Sequence, residues 1–220
     1  MTEAVKYPRT LHLPWSPGVS DDDKVMKDVS VFSGREIVIT EKMDGENTTM
    51  YSDYIHARSL SWTKHESRTW IKAIHDEKRH NIPSGWRVCG ENVAALHSIP
   101  YEGLASYFLV FSIWTDKNEC LSWDDTVEWC ELMEFETVPV LYRGPWNEDF
   151  VRSLAEQIDL EKQEGYVVRT VGGFSYEDFG THVAKWVRKG HVQTDEHWLS
   201  KPPTFNGLLQ KEVESTSEIE

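Results

Sequence analysis

Cysteine is scarce in this chain. Cys89, Cys120 and Cys130 are the only three in 220 residues, and none belongs to a Cys-x-x-Cys pair. A sparse, odd count argues against a disulfide framework and suits a reducing cytoplasm. Long apolar runs are missing too. Nothing approaches the roughly 18 residues needed to span a membrane, and the opening "MTEAVKYPRT" lacks the apolar segment of a secretory signal. The expectation is a cytoplasmic protein with no membrane partner. The nine histidines lack zinc-ligand spacing, so no structural metal is expected. Positive charge is also in deficit, with 23 Lys and Arg against 37 Asp and Glu and a net charge of −14. Such a surface repels nucleic acid globally, and a polynucleotide partner would need a local basic patch. Two stretches offer one. His56 to Asn81 holds Arg58, Lys64, Arg68, Lys72, Lys78 and Arg79, and Val183 to Val192 holds Lys185, Arg188 and Lys189 with no acid. Both stretches also fit ordinary solvated charge.

What is present fits a folded domain. Hydrophobic residues make up 39% and charged residues 27%, and the length suits one domain. Ten tryptophans are many, and most are expected in the core. Residues 1 to 34 are polar and read as irregular, with "LPWSPG" and "DDD" as turn signals. Strands are expected at Glu36–Thr40, in a hairpin of "TTMYS" and "YIHARS", at Trp86–Val93, at Tyr107–Trp114, in "TVPVLY", at Glu164–Thr170 and at His182–Lys189. A helix is expected over Ser67–His80 with Trp70, Ile71 and Ile74 on its buried face. Two more follow, one capped by Ser122 and running to about Met133, the other capped by Asn147 and running to about Ile158. Short strands among few helices predict an α+β fold of antiparallel sheets with flanking helices. The acidic end is expected as a disordered tail from residue 206 to 220, beyond a domain spanning residues 1 to 205.

The chemistry begins at "VITEKMDGENTTMYS", residues 38 to 52. Lys42 ends a β-branched run, and Asp44-Gly45 follows it. A lysine fixed there attacks an electrophile only after losing its proton. Nearby cations or partial burial lower its pKa, and Lys185 is a candidate for the neighbouring cation. Gly45 permits a tight turn, and Asp44 reads as a brace for that turn.

From these residues onward the chain resembles the covalent nucleotidyltransferases, the superfamily of ATP-dependent polynucleotide ligases and capping enzymes. Lys42-Met43-Asp44-Gly45 matches the nucleophile motif. Arg58-Ser59, Cys89-Gly90-Glu91, the Phe108–Ile113 strand, Glu164-Gly165-Tyr166-Val167-Val168-Arg169 and Val183-Ala184-Lys185-Trp186 follow in the family's order. Asn47, five residues after the lysine, is similar to the RNA ligases of the phage nick-sealing type. DNA ligases and capping enzymes usually carry arginine there. The last motif departs from the pattern, because Val187 stands where a second lysine often occurs, with Arg188 and Lys189 beyond it.

The resemblance implies an adenylylation domain that uses ATP and Mg2+, with Mn2+ as a substitute, to join RNA ends. Lys42 would form a lysyl–AMP bond. Glu41, Lys42, Asn47, Arg58, Glu91, Phe111 and Lys185 would bind the nucleotide, with Phe111 stacking on the base and Glu91 holding the ribose. Lys42, Lys185, Glu164 and Asn47 would act in catalysis, and Glu164 would hold the metal through water. Plainer readings stand beside these: Glu91 and Glu164 as ordinary strand ends, and Phe111 as core. Few residues follow the last motif, so RNA grip would come from this domain, from the 56–81 stretch or from a partner protein, with nicked duplex sealed more readily than free ends. Lys42→Ala is expected to change stability by under about 0.5 kcal/mol. The alternatives are a DNA ligase, a GTP-using capping-type enzyme, and a non-catalytic RNA-end-binding module. The segment Lys6 to Gly18 is unexplained by any motif, and His12 within it is a candidate to reach the site.

Overall fold

Ile37, Val38 and Ile39 are three successive β-branched residues, and all three are fully buried. A run of this kind suits a strand covered on both faces, and each such side chain contributes about 1.5–3 kcal/mol by leaving water. The computed structural model describes residues 3–60, 64–190 and 202–209. Its strands in chain order are β1 (Leu11–His12), β2 (Glu36–Lys42), β3 (Glu46–Met50), β4 (Ile55–Ala57), β5 (Arg87–Asn92), β6 (Phe108–Trp114), β7 (Glu119–Cys120), β8 (Glu136–Thr137), β9 (Val140–Pro145), β10 (Gly165–Thr170), β11 (Phe174–Ser175) and β12 (Val183–Val187). The helices are α1 (Thr69–Lys78), α2 (Trp123–Leu132) and α3 (Glu148–Gln157).

Two sheets face each other. One has five strands in the order β1-β12-β10-β2-β9. The other has seven, running β11-β7-β6-β5-β3-β4 with β8 paired to β6. Among the described residues the β1–β12 and β6–β8 pairs are parallel, and the other ladders are antiparallel. The expected α+β class of antiparallel sheets with flanking helices is what forms. On the outer face of the five-stranded sheet, Ile37, Ile39, Tyr166 and Val168 pack with Val151 of α3 and with Leu13. On the outer face of the seven-stranded sheet, Val88, Val110 and Ile113 pack with Ile71 of α1 and Cys130 of α2. Between the sheets, Val38 and Val93 share one cluster and Val183, Cys89 and Trp114 another. The period of two along β2 therefore turns Val38, Thr40 and Lys42 toward the inter-sheet space, and Ile37 and Ile39 away from it.

Local signals fixed the helix starts. The Ser122 hydroxyl accepts from the Asp125 N–H at 3.1 Å, and the Asn147 amide oxygen accepts from the Phe150 N–H at 3.0 Å. Both are N-caps with acids in the following turn.

Four expectations change. The Ser67–His80 helix is an α-helix only over Thr69–Lys78, between short 3-10 turns. It buries Ile71 and His75, and Trp70 points outward at 48% exposure. The Trp70 indole instead lies against the Tyr107 ring, with centroids 5.6 Å apart. "TVPVLY" is not one strand. Thr137 pairs with Val110 in one sheet and Val140 with Thr40 in the other, so Val138-Pro139 is the crossing between them. The polar N-terminal segment contributes β1 and buries Leu13, Met26 and Phe32. Residue 206, where the tail is expected to begin, is tied to the domain. The Asn206 side chain accepts from the Tyr101 N–H at 3.0 Å and donates to the Val93 carbonyl at 2.8 Å, and its own carbonyl accepts from the Tyr107 hydroxyl at 2.7 Å. Residues 210–220 lie outside the described residues.

Candidate active site

Lys42 ends β2 with its side chain 23% exposed, and its Nζ is 2.5 Å from Oε2 of Glu164. Strand register makes this pairing. Gly165 is the cross-strand partner of Lys42, so Glu164 arrives beside the amine one residue before β10 begins. Gly165 is glycine for a steric reason: a Cβ there would sit 2.0 Å from the Trp186 carbonyl oxygen of β12. Gly45 has a similar reason, since its Cβ would meet the Asn92 carbonyl oxygen at 2.3 Å. The expected turn freedom is not what Gly45 supplies; close approach to β5 is. Asp44 braces the segment as expected. Its Oδ2 accepts from the Ser98 N–H at 2.7 Å, the Ser98 hydroxyl at 2.6 Å and the Ile99 N–H at 2.9 Å, and its own N–H donates to the Tyr101 hydroxyl at 2.9 Å.

A cavity of about 340 Å³ opens between the sheets at Lys42, a size that suits a nucleotide. Glu41, Lys42, Asn47, Arg58, Glu91, Phe111 and Lys185 all line it. Asn47 faces Glu91 across β3 and β5, Arg58 follows β4, and Lys185 faces Val167 across β12 and β10. Asn47 Oδ1 is buried and makes no hydrogen bond among the described residues. Glu164 does not line the cavity. It is almost wholly buried against Lys42.

The electrostatics differ from the simple expectation of a depressed nucleophile. Burial pulls the Lys42 amine down, but the carboxylates of Glu164, Glu91 and Asp44 outweigh it, and the net direction is up. Lys185 is the cation that is lowered, by burial and by Lys42. Burial pushes Glu91 up to about 8, with Lys42 opposing and Glu164, Asp44 and Glu46 adding to the rise. Glu41 is raised by burial, with the Gln163 amide opposing at 3.2 Å. These carboxylates therefore favour the ammonium form of the amine.

The last motif also resolves. Arg188 donates to the Leu160 carbonyl at 2.7 Å and the Ser98 hydroxyl at 3.1 Å, and Lys189 is exposed; neither lines the cavity. The further lining cations are Arg9 and Arg169, and sequence reasoning passed over both. Arg169 is buried and donates to the carbonyls of Phe111 and Leu121 at 3.3 and 2.8 Å. Tyr7, Pro8, Thr10, Asp22 and Asp23 also line the cavity. The runs "KYPRT" and "DDD" were the available signal. Tyr7 meets Phe111 edge-on, with centroids 5.1 Å apart. His12 does not reach the cavity. It is fully buried, and its Nε2 is 3.3 Å from Asp23. The basic stretch from His56 to Asn81 is partly consumed by the fold, since Arg68 pairs with Glu46 and Lys78 donates to the Glu134 carbonyl.

Among the described residues no cluster of three or more His, Cys, Asp or Glu side chains is set to hold a metal. Glu164, the residue expected to hold a metal through water, presents hard carboxylate oxygens beside Lys42 but does not line the cavity. No helix among the described residues is long and apolar enough to cross a membrane.

Two facing sheets with a strand-end lysine paired to a buried glutamate define a covalent nucleotidyltransferase domain. The model of the RNA ligase family matches residues 35–187, well over half of the 220 residues, and the chain belongs to that family. Solved structures agree on the fold. An alanine variant of the Naegleria gruberi RNA ligase with ATP and Mn superposes with a TM-score of 0.53 at 15% identity, over 84% of this chain and 61% of that one. An archaeal ATP-dependent RNA ligase gives 0.57 at 14% identity, over 83% and 48%. A protein assigned as an ATP-dependent DNA ligase from Aquifex aeolicus gives 0.54 at 19% identity, over 83% and 50%. The chain thus spans about half to three-fifths of these relatives. No curated protein sequence matches it significantly.

Proposed function

We propose that this chain is an ATP-dependent RNA ligase joining a 3′-hydroxyl to a 5′-phosphate through a lysyl–AMP on Lys42. The observation that carries the reading is the convergence of Lys42, Lys185, Glu91, Asn47, Arg58 and Phe111 on one cavity, with Glu164 against the amine. In the first step the Lys42 Nζ bonds to the α-phosphorus of ATP, the bond to the pyrophosphate oxygen breaks, and the amine gives up its proton. Oε2 of Glu164 is the atom set to hold that proton or to be drawn away as the pair opens. Lys185 faces the growing negative charge on the α-phosphate. Phe111 stacks on the adenine, Glu91 holds the ribose hydroxyls and Arg58 holds phosphate. Glu164 would hold a divalent cation through water, and that ion would supply positive charge against the phosphates. AMP then passes from Lys42 to an RNA 5′-phosphate. Finally the 3′-hydroxyl attacks that phosphate and AMP leaves, with Asn47 donating to the phosphate or the RNA end.

Naegleria and archaeal RNA ligases share the fold, and three of the Naegleria structures hold ATP and Mn; this supports ATP and a divalent metal as the requirements. The reading includes a cytoplasmic location, in keeping with three free, buried cysteines, and RNA grip from this domain or from a partner protein, with nicked duplex preferred over free ends. Incubation with α-labelled ATP or GTP and Mg2+, followed by a denaturing gel, tests it. A labelled band with ATP, lost in Lys42→Ala, supports the proposal. A band with GTP alone points to a capping-type enzyme, and no band points to a binding module. Faster sealing of an all-DNA 3′-hydroxyl strand would reassign the substrate.

A further inference from the structure

Lys185 is not held by its own strand alone. The N-terminal segment runs alongside β12 in parallel register, with His12 opposite Lys185, and the Leu13 N–H donates to the Lys185 carbonyl at 2.7 Å. The chain then turns back and brings Asp23 over the same residue. Asp23 Oδ1 lies 3.7 Å from the Lys185 Nζ. Its Oδ2 accepts from the Ser20 N–H at 3.1 Å and the Ser20 hydroxyl at 2.8 Å, and lies 3.3 Å from His12 Nε2. The other ring nitrogen of His12 is 2.8 Å from the Ser16 hydroxyl, which itself accepts from the Val187 N–H at 2.9 Å. The His12 N–H donates to the Lys24 carbonyl at 2.8 Å, which ties the segment next to Asp23 back to β1.

We propose that Asp23, fixed by Ser20 and His12, is a positioning residue that aims Lys185 at the reacting phosphate. This inference rests on the RNA ligase reading given above. Asp23 shares the cavity wall with Asp22, Glu41 and Glu91, and its charge by itself would oppose a triphosphate. Its presence makes sense if it orders a cation that would otherwise be pushed out by its neighbour. Lys185 is half-buried near Lys42, and both desolvation and that like charge disfavour its ammonium form; Asp23 supplies the opposing anion. Burial pushes the Asp23 carboxyl up, but the two hydrogen bonds from Ser20 with Lys185 and His12 bring it down to about 2, so it stays charged. The arrangement also gives the "DDD" run, which no motif of the chain absorbs, a defined task.

The signature is a loss in rate without a loss in binding. Single-turnover adenylylation of the full chain, measured over a range of ATP concentrations with Mg2+, reads it. Asp23→Asn should slow covalent adduct formation at saturating ATP by about tenfold or more, a loss within the range of removing an electrostatic contact to the transition state. The KM for ATP should stay unchanged or fall. Asp23→Glu, which keeps the charge, should recover part of the rate. Ser20→Ala, which removes one of the two bonds to Oδ2, should give a smaller loss of the same kind, and it decides the matter if Asp23→Asn does not fold. A folded Asp23→Asn with a rate within about twofold of wild type, or with its whole loss in KM, overturns the inference. So does an unchanged rate in Ser20→Ala where Asp23→Asn cannot be made. If the wild-type protein forms no adduct, the RNA ligase reading falls and takes this inference with it. If the wild type forms an adduct and the variants match it, only the role of Asp23 falls.

Discussion

The Nζ of Lys42 and Oε2 of Glu164 are 2.5 Å apart, and this contact sets the resting state of the proposed nucleophile. A free amine attacks phosphorus and an ammonium ion does not. Burial alone would favour the free amine, but here the carboxylates win and the proton stays on. On the proposed mechanism, reactivity depends on opening this pair, which a bound substrate and its cation would do by competing for Glu164.

In the substrate-free protein, Lys42 should react slowly with an amine-acylating reagent at mildly alkaline pH. Glu164→Gln removes the main opposing charge, leaves burial acting, and should lower the amine's pKa and speed that labelling. Peptide mass mapping of Lys42 after timed exposure checks it. Equal labelling in both proteins would mean that Glu164 does not control the proton.

Lys42→Ala should abolish the AMP adduct, and it should also cost stability. A surface-cleft lysine would cost under about 0.5 kcal/mol. Glu164, however, is almost fully buried and loses its partner. Breaking a buried pair costs about 3–5 kcal/mol, and the partial exposure of Lys42 argues for less, about 1–3 kcal/mol. Urea unfolding of both proteins measures the difference, and Glu164→Gln in the Lys42→Ala background should restore most of it.

The positions of the paired strands were legible because their signals are local. A β-branched run, alternation and turn residues mark β2, β5, β6, β10 and β12, and a single polar side chain marks each helix start at Ser122 and Asn147. The cavity residues were legible for a different reason: the order of motifs carries them, and strand register brings them together. The rest depended on contacts distant in sequence. Nothing within "TVPVLY" reveals that Thr137 and Val140 join different sheets, since both halves have strand character. Trp70 has the composition of a core residue and lies outside because α1 buries the Ile71 and His75 face. Asp23 and Arg9 could not be assigned because their partners, Lys185 and the cavity wall, become neighbours only when β1 docks on β12.

Phe111 is half-buried, with one edge against Tyr7. Stacking of a base on an aromatic ring contributes about 1–3 kcal/mol. Phe111→Ala should therefore weaken ATP binding by about tenfold while Phe111→Tyr stays close to wild type. Quenching of tryptophan fluorescence on titration with ATP, in the Lys42→Ala background to prevent turnover, gives the two dissociation constants.

Glu91 gives the fold a pH dependence of definite sign. Its carboxyl is held at about 8 in the folded protein, against an ordinary value of 4.5. Between those values the folded state keeps a proton that the unfolded state releases, so stability falls as pH rises through the window. Glu91→Gln removes this contribution. Its melting temperature should fall less than that of wild type between about pH 5 and about pH 8. Parallel melting curves for the two proteins would refute the assignment.

Asn206 tests the C-terminal clip. Its side chain satisfies the Tyr101 N–H and the Val93 carbonyl inside the protein, and the Tyr101 hydroxyl in turn accepts from the Asp44 N–H two residues after Lys42. Asn206→Ala leaves two buried backbone groups without partners, at about 1–3 kcal/mol each for a group that stays dry. The expected result is a loss of about 2–4 kcal/mol in urea unfolding and a lower melting temperature. Asn206→Asp should recover only the Tyr101 bond, because a carboxylate cannot donate to Val93. An Asn206→Ala protein as stable as wild type would mean that residues 202–209 rest on the domain without holding it.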